Sequence, residues 1–190
     1  MTPGRPLEGV AREAPRLRVP RPGPSEHPAN YLEDLMALVG DDVWPMLASQ
    51  PEEVERAFHG IAEERALFRY AANKWSAKEV LGHVCDTERV LSYRALRFAR
   101  GDATPLATFD EDLYVANSTF DARTVPSLVE EFRTVRAATL SLVSGFDADA
   151  FRCVGVARGL RFSVRALVWV MVGHVRHHLD TLRDRYGIGG

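Results

Sequence analysis

The sequence predicts an all-α protein built on a four-helix bundle, and three observations carry that reading. Apolar residues recur at spacings of three and four along several long stretches. Helix-start residues stand where those stretches begin, most clearly in the capping box Ser76-Ala-Lys-Glu79. No internal repeat appears, and no alternation of strands with helices. With 190 residues, 46% of them hydrophobic, the chain can bury a sizeable core as one domain with an appendage.

Residues 1–28 are that appendage, and 29–190 are the helical domain. The first segment holds seven of the eleven prolines and shows no apolar periodicity. Proline lacks an amide donor and fixes φ, so an extended arm or tail is expected, with Leu17 and Val19 as possible anchors. From Asn30 the pattern turns helical, on Tyr31, Leu32, Leu35, Met36, Leu38 and Val39, with Gly40 as its stop. A second helix begins near Asp41 and carries Val43, Trp44, Met46 and Leu47. Pro51 suits the first turn of a further helix, 51–58, whose dipole Glu52 and Glu53 complement. Residues 61–74 read as a turn and loop. The capped helix then runs from Ser76 to about Arg100 on the stripe Val80, Val84, Leu91, Ala95 and Phe98. A long loop, 102–123, follows, and loops of that length often line a site. Thr124 or Ser127 caps the next helix, to Gly145. Residues 146–162 are irregular, with room for a short extended piece, and Ser163 caps the last helix to Arg185 or Tyr186.

Composition narrows the function. Twenty-four Lys and Arg against 26 Asp and Glu leave a net charge of -2, so nothing drives the chain toward nucleic acid or anionic lipid. No apolar run approaches a membrane span, and the five N-terminal arginines have no apolar stretch behind them, unlike a secretory signal. Two cysteines, Cys85 and Cys153, fit a reduced cytoplasmic protein. A small-molecule enzyme, a ligand binder or an assembly subunit remains.

The chemistry gathers on the last helix. An advance of about 100° per residue places Leu167, Met171, His174, His178 and Leu182 on one core-facing stripe, with His177 at its margin. Two stacked imidazoles in a core each need polar partners or a metal, and i, i+4 spacing lets both reach one cation. Alone, such a pair reads first as satisfied core or surface histidines. His83, next to Thr87 on the inward edge of the Ser76 helix, raises the metal reading, because facing helices are where bundle metal sites are built. Three imidazoles without a thiolate leave room for water or substrate, as catalytic sites do. They suit zinc, nickel, copper or iron, with zinc or nickel the first expectation. Cys85 points away and is expected to pack.

Other positions are weighed against plainer readings. Asp86 and Asp180 are candidates to orient a liganding imidazole, against a solvated helix face. Arg94, on the His83–Thr87 stripe, is a candidate for an anionic cosubstrate, against a bundle-edge ion pair. Asp110 and Tyr114 are candidates to close over the site, against a solvated loop. Trp75 reads as a packing anchor, and His27 and His59 as surface residues.

The segments Lys74-Trp-Ser-Ala-Lys-Glu-Val-Leu-Gly-His83 and Gly173-His-Val-Arg-His-His178 resemble the two signature regions of the DinB-like superfamily, which includes the bacillithiol and mycothiol S-transferases. Arg69-Tyr70 and Ser92-Tyr93-Arg94-Ala95-Leu96 extend the resemblance, which covers Tyr31 to the C-terminus but not the proline-rich arm. It implies a four-helix bundle, commonly a homodimer, with one divalent metal on His83, His174 and His178. It further implies an enzyme that conjugates a low-molecular-weight thiol to an electrophile. A metal-dependent hydrolase on the same scaffold, or a non-catalytic metal or ligand-binding module induced under stress, are the alternatives.

Overall fold

The computed structural model describes residues 18–28 and 32–189. Four long helices carry the fold: α2 (Val43–Phe58), α4 (Ala77–Ala99), α6 (Val125–Ser144) and α8 (Val164–Tyr186). Shorter helices α1 (Leu32–Ala37), α3 (Glu63–Ala66), α5 (Glu111–Ala116) and α7 (Ala148–Arg152) precede or connect them. Strands β1 (Val154–Ala157) and β2 (Leu160–Ser163) form an antiparallel hairpin in which Ala157 faces Leu160. None of the described helices is long and apolar enough to cross a membrane.

Local chemistry accounts for the helix ends. Ser76 and Glu79 form the expected reciprocal capping box. Thr124 accepts from the Ser127 amide and Ser163 from the Ala166 amide. Gly187 ends α8 in the left-handed region at φ 62°.

Helix α4 packs against α8 and α6, and α2 packs against α6 and α8. The order round the bundle is therefore α2, α6, α4, α8. Consecutive long helices α2 and α4 stand diagonally, as do α6 and α8, and diagonal steps need the long connections found at 59–76 and 145–163.

Several expectations change here. Pro51 does not start a new helix but lies inside α2. It lacks the amide that would bond the Leu47 carbonyl, and the Arg136 guanidinium donates to that oxygen instead, at 3.0 Å. The loop 102–123 contains α5, capped by Asp110, and a 3-10 turn at Phe120–Ala122. The segment 146–162 holds α7 and most of the hairpin. His27 is buried rather than on the surface, with Nδ1 3.1 Å from the Pro28 carbonyl oxygen. Its neighbours strap the start of α8: Glu26 pairs with Arg165 and accepts from Ser163, while the Trp169 indole donates to the Val19 carbonyl. Leu17, Tyr31 and the prolines at 3, 6 and 15 lie outside the described residues.

The core splits in two along the bundle. One apolar cluster joins late α4, early α8 and α1 around Phe98, Trp169 and Met36. The other joins early α4, late α8 and early α6 around Leu81, Phe132 and Tyr186. Between them runs a polar layer. Arg136 holds both Glu88 carboxylate oxygens at 2.6 and 2.7 Å and also donates to Gln50 Oε1, whose amide donates to the Val172 carbonyl at 2.8 Å. Arg136, Glu88 and Gln50 are all buried.

Candidate metal centre

His83 lies in the second turn of α4, and His174 and His178 lie at and just past the middle of α8. Because α4 and α8 run antiparallel, the three imidazoles meet. The His174 Nε2 is 3.0 Å from the Nε2 of His83 and 3.0 Å from that of His178. Two glycines admit close neighbours beside these histidines. A Cβ on Gly82 would strike the Phe120 ring at 2.4 Å, and one on Gly173 would strike the Leu35 carbonyl oxygen at 2.0 Å. The glycine before each histidine motif thus makes room for a neighbour, the Phe120 ring at α4 and the α1 backbone at α8.

The donor set fits a cation. The three ligand atoms lie within 4.8 Å of one another, and no carboxylate or thiolate joins them among the described residues. Neutral imidazoles whose Nε2 atoms converge at 3.0 Å set lone pair against lone pair unless a proton or a cation stands between. Tetrahedral coordination at about 2.1 Å gives nitrogen–nitrogen edges of about 3.4 Å, inside the observed range. Burial holds His83 down to about 4, and burial followed by repulsion from neighbouring imidazoles holds His174 and His178 well below the usual histidine value. All three therefore favour the neutral form that binds metal. The His178 Nδ1 is buried with no hydrogen-bond partner. On His83, Nδ1 lies 3.5 Å from the Thr87 hydroxyl, and the Trp75 ring sits 4.6 Å away centre to centre.

A cavity of about 410 Å³ opens from the histidines along the α4–α8 groove. Trp75, Leu91, Phe109, Phe162, Leu167 and Val170 supply its apolar walls, with Thr87 and Arg94 on the α4 side. Trp75 is more than a packing anchor, since it lies against a candidate ligand and its carbonyl is held by the Tyr186 hydroxyl at 2.8 Å. His177 is exposed and lines the rim, its ring 5.1 Å from that of His178.

The remaining sequence candidates separate. Arg94 does line the cavity, buried, donating to the Ala107 carbonyl at 2.9 Å. Asp86 does not orient an imidazole: it pairs with Arg89 at 3.4 Å, and burial raises its carboxyl. Asp180 pairs with Arg183 at 2.9 Å and Arg176 at 3.5 Å, away from the rings. Both sit on the correct helix but on a flank that turns from the groove. Asp110 is spent capping α5, and Tyr114 lies exposed against Phe109, so Phe109 and Glu111 line the cavity in their place. Cys85 is buried in the second apolar cluster, which pushes its thiol up. Sequence reasoning missed the Arg136–Glu88 pair, although each residue interrupts an apolar helical stripe.

A family model of the DinB superfamily matches residues 46–182. The chain belongs to the DinB superfamily. That match spans both histidine motifs. Among solved structures, YfiT from Bacillus subtilis, described as a probable metal-dependent hydrolase with an unusual four-helix bundle topology, superposes with a TM-score of 0.67. The alignment covers 88% of this chain and 94% of that one at 13% identity, a likeness of fold. No curated protein matches the chain significantly.

Proposed function

We propose that this DinB-superfamily protein is a divalent-metal-dependent enzyme whose metal is held by His83, His174 and His178. The observation that carries the reading is the convergence of three imidazole Nε2 atoms on the wall of a largely apolar cavity large enough for a small molecule. A metal so held lowers the pKa of a coordinated thiol or water, making a nucleophile at neutral pH. The chain's own residues do the rest. The three imidazoles, kept neutral by burial, present nitrogen lone pairs to one point. The Trp75 ring lies against His83, and the apolar walls suit an apolar electrophile.

Between chemistries, we favour conjugation of a low-molecular-weight thiol, such as bacillithiol or mycothiol, to an electrophile. The support is the resemblance of the two histidine segments to the signature regions of a superfamily that includes such thiol transferases, together with the apolar cavity beside the histidines. Hydrolysis by metal-activated water is the second reading, supported by the description of YfiT. A non-catalytic binding module is less well supported, because the histidines open onto a cavity rather than being sealed by Phe and Leu. Zinc or nickel is the first expectation for the ion. A homodimer belongs to the same proposal, and sedimentation equilibrium showing a monomer at about tens of micromolar would count against it.

The deciding experiment is elemental analysis of the purified protein coupled to conjugation assays with a panel of thiols and to esterase and amidase assays. The proposal expects about one metal per chain and thiol conjugation that disappears on chelation and returns with metal. Hydrolysis without conjugation would move the assignment to the second reading.

A further inference from the structure

The cavity has two chemically different ends. His83, Thr87, Leu91 and Arg94 follow one stripe of α4, and eleven residues of helix span about 16 Å. The histidines occupy one end. At the other, Arg94 of α4 and Arg158, in the turn of the β-hairpin, both line the cavity.

Arg158 is held in an unusual way. It and Gly159 form the two-residue turn between β1 and β2, with φ of 57° and 73°. Such turns require positive φ at both positions and favour Asn, Asp or Gly there. Arg158 is the one non-glycine among the described residues with positive φ. An arginine in the left-handed region carries conformational strain, and strained residues gather where a side chain serves a site.

The two arginines also share one support. The Leu106 amide donates to the Val156 carbonyl at 2.8 Å, and the Arg158 amide donates to the Leu106 carbonyl at 3.1 Å. The next carbonyl, of Ala107, accepts from the Arg94 guanidinium at 2.9 Å. Two adjacent loop residues therefore fix the backbone of one arginine and the head of the other. Arg94 is only 5% exposed, deep in the slot, and Arg158 stands at its rim.

We propose that this end of the cavity is a carboxylate subsite, in which Arg94 and Arg158 receive the anionic end of an elongated, apolar-bodied substrate whose reacting atom lies at the histidines. Planar guanidiniums match a carboxylate with paired, charge-assisted hydrogen bonds. The middle of the slot, at Leu35, Leu91 and Val170, takes an apolar linker. The carboxylates of Asp34 and Glu111 also line the cavity and disfavour a second anionic group on the ligand. The inference rests on the reading of this cavity as the substrate site.

The test compares 4-phenylbutyrate with its neutral isostere 4-phenylbutyramide by calorimetric titration into the full chain, zinc-loaded and chelator-treated. The carboxylate should bind more tightly by about tenfold or more in both forms, the value of a charge-assisted pair. Arg158→Asn should remove most of that preference while leaving amide affinity, helicity and thermal stability unchanged or improved, because Asn accepts the left-handed turn. Arg94→Gln should do the same to the preference. Should Arg94→Gln fail to fold, Arg158→Asn still decides. Equal affinity for the two probes, binding of neither, or a preference untouched by Arg158→Asn would each overturn the inference. A preference present only with zinc would assign the carboxylate to the metal, sinking the subsite and sparing the metal reading. Loss of zinc stoichiometry with the preference intact would do the reverse.

Discussion

Replacing Arg136 by Met tests whether the polar layer holds the bundle together. Arg136 is fully buried and donates to both oxygens of Glu88, to the Leu47 carbonyl freed by Pro51 and to Gln50 Oε1. Methionine fills much of the volume but leaves Glu88, itself 2% exposed, as an uncompensated buried carboxylate. Breaking one side of such a pair costs about 3–5 kcal/mol. A chain of this length loses about 2–4 °C of melting temperature per kcal/mol, so the variant should melt about 10 °C lower. Guanidinium denaturation followed by circular dichroism measures the loss directly. The double variant Arg136→Met with Glu88→Leu removes both charges and should recover about half of it, since apolar replacement of a whole buried pair is often neutral. A residual deficit of about 2 kcal/mol is expected from the Leu47 and Gln50 oxygens left without a donor. A single-variant loss under about 1 kcal/mol, or a double variant no more stable than the single, would refute the reasoning.

Three further outcomes follow from the site. His83→Ala, His174→Ala or His178→Ala should each abolish stoichiometric metal in elemental analysis, while His177→Ala should retain it, because its ring faces the rim. In the metal-free chain, His83 is held near 4 by burial against about 6.5 when unfolded, so the unfolded state binds more protons between those values. Its contribution is intact above pH 6.5 and lost as pH falls toward 4, by about 3 kcal/mol at most, and His83→Gln should flatten that slope in pH-dependent denaturation. Gly173→Ala would drive a methyl group into the Leu35 carbonyl of α1, 2.0 Å from the ideal Cβ. It should destabilise by about 1–3 kcal/mol in chemical denaturation and weaken ligand binding in the cavity that α1 walls, as overpacking does.

Much of this protein was legible in its residues because the relevant physics is local. The Ser76–Glu79 box, the Thr124 and Ser163 caps and the Gly187 stop act within about one turn, so helix starts and ends could be read directly. The phase of His174 and His178 on the core stripe is a matter of helical period alone, and His83 joined them through the phase of α4. Tertiary structure decided whatever depends on which helix stands beside which. Asp86 and Asp180 share helices with the histidines, yet they turn to Arg89 and to Arg176 and Arg183. Pro51 remains inside α2 because a guanidinium 85 positions further along the chain satisfies the carbonyl it frees, and no window of sequence contains both. The partners in the polar layer lie 48, 89 and 122 positions apart, and the diagonal order of the long helices brings them into one plane. The left-handed turn that places Arg158 in the cavity exists because β1 and β2 pair there and Leu106 pins them, a register set by contact rather than by periodicity.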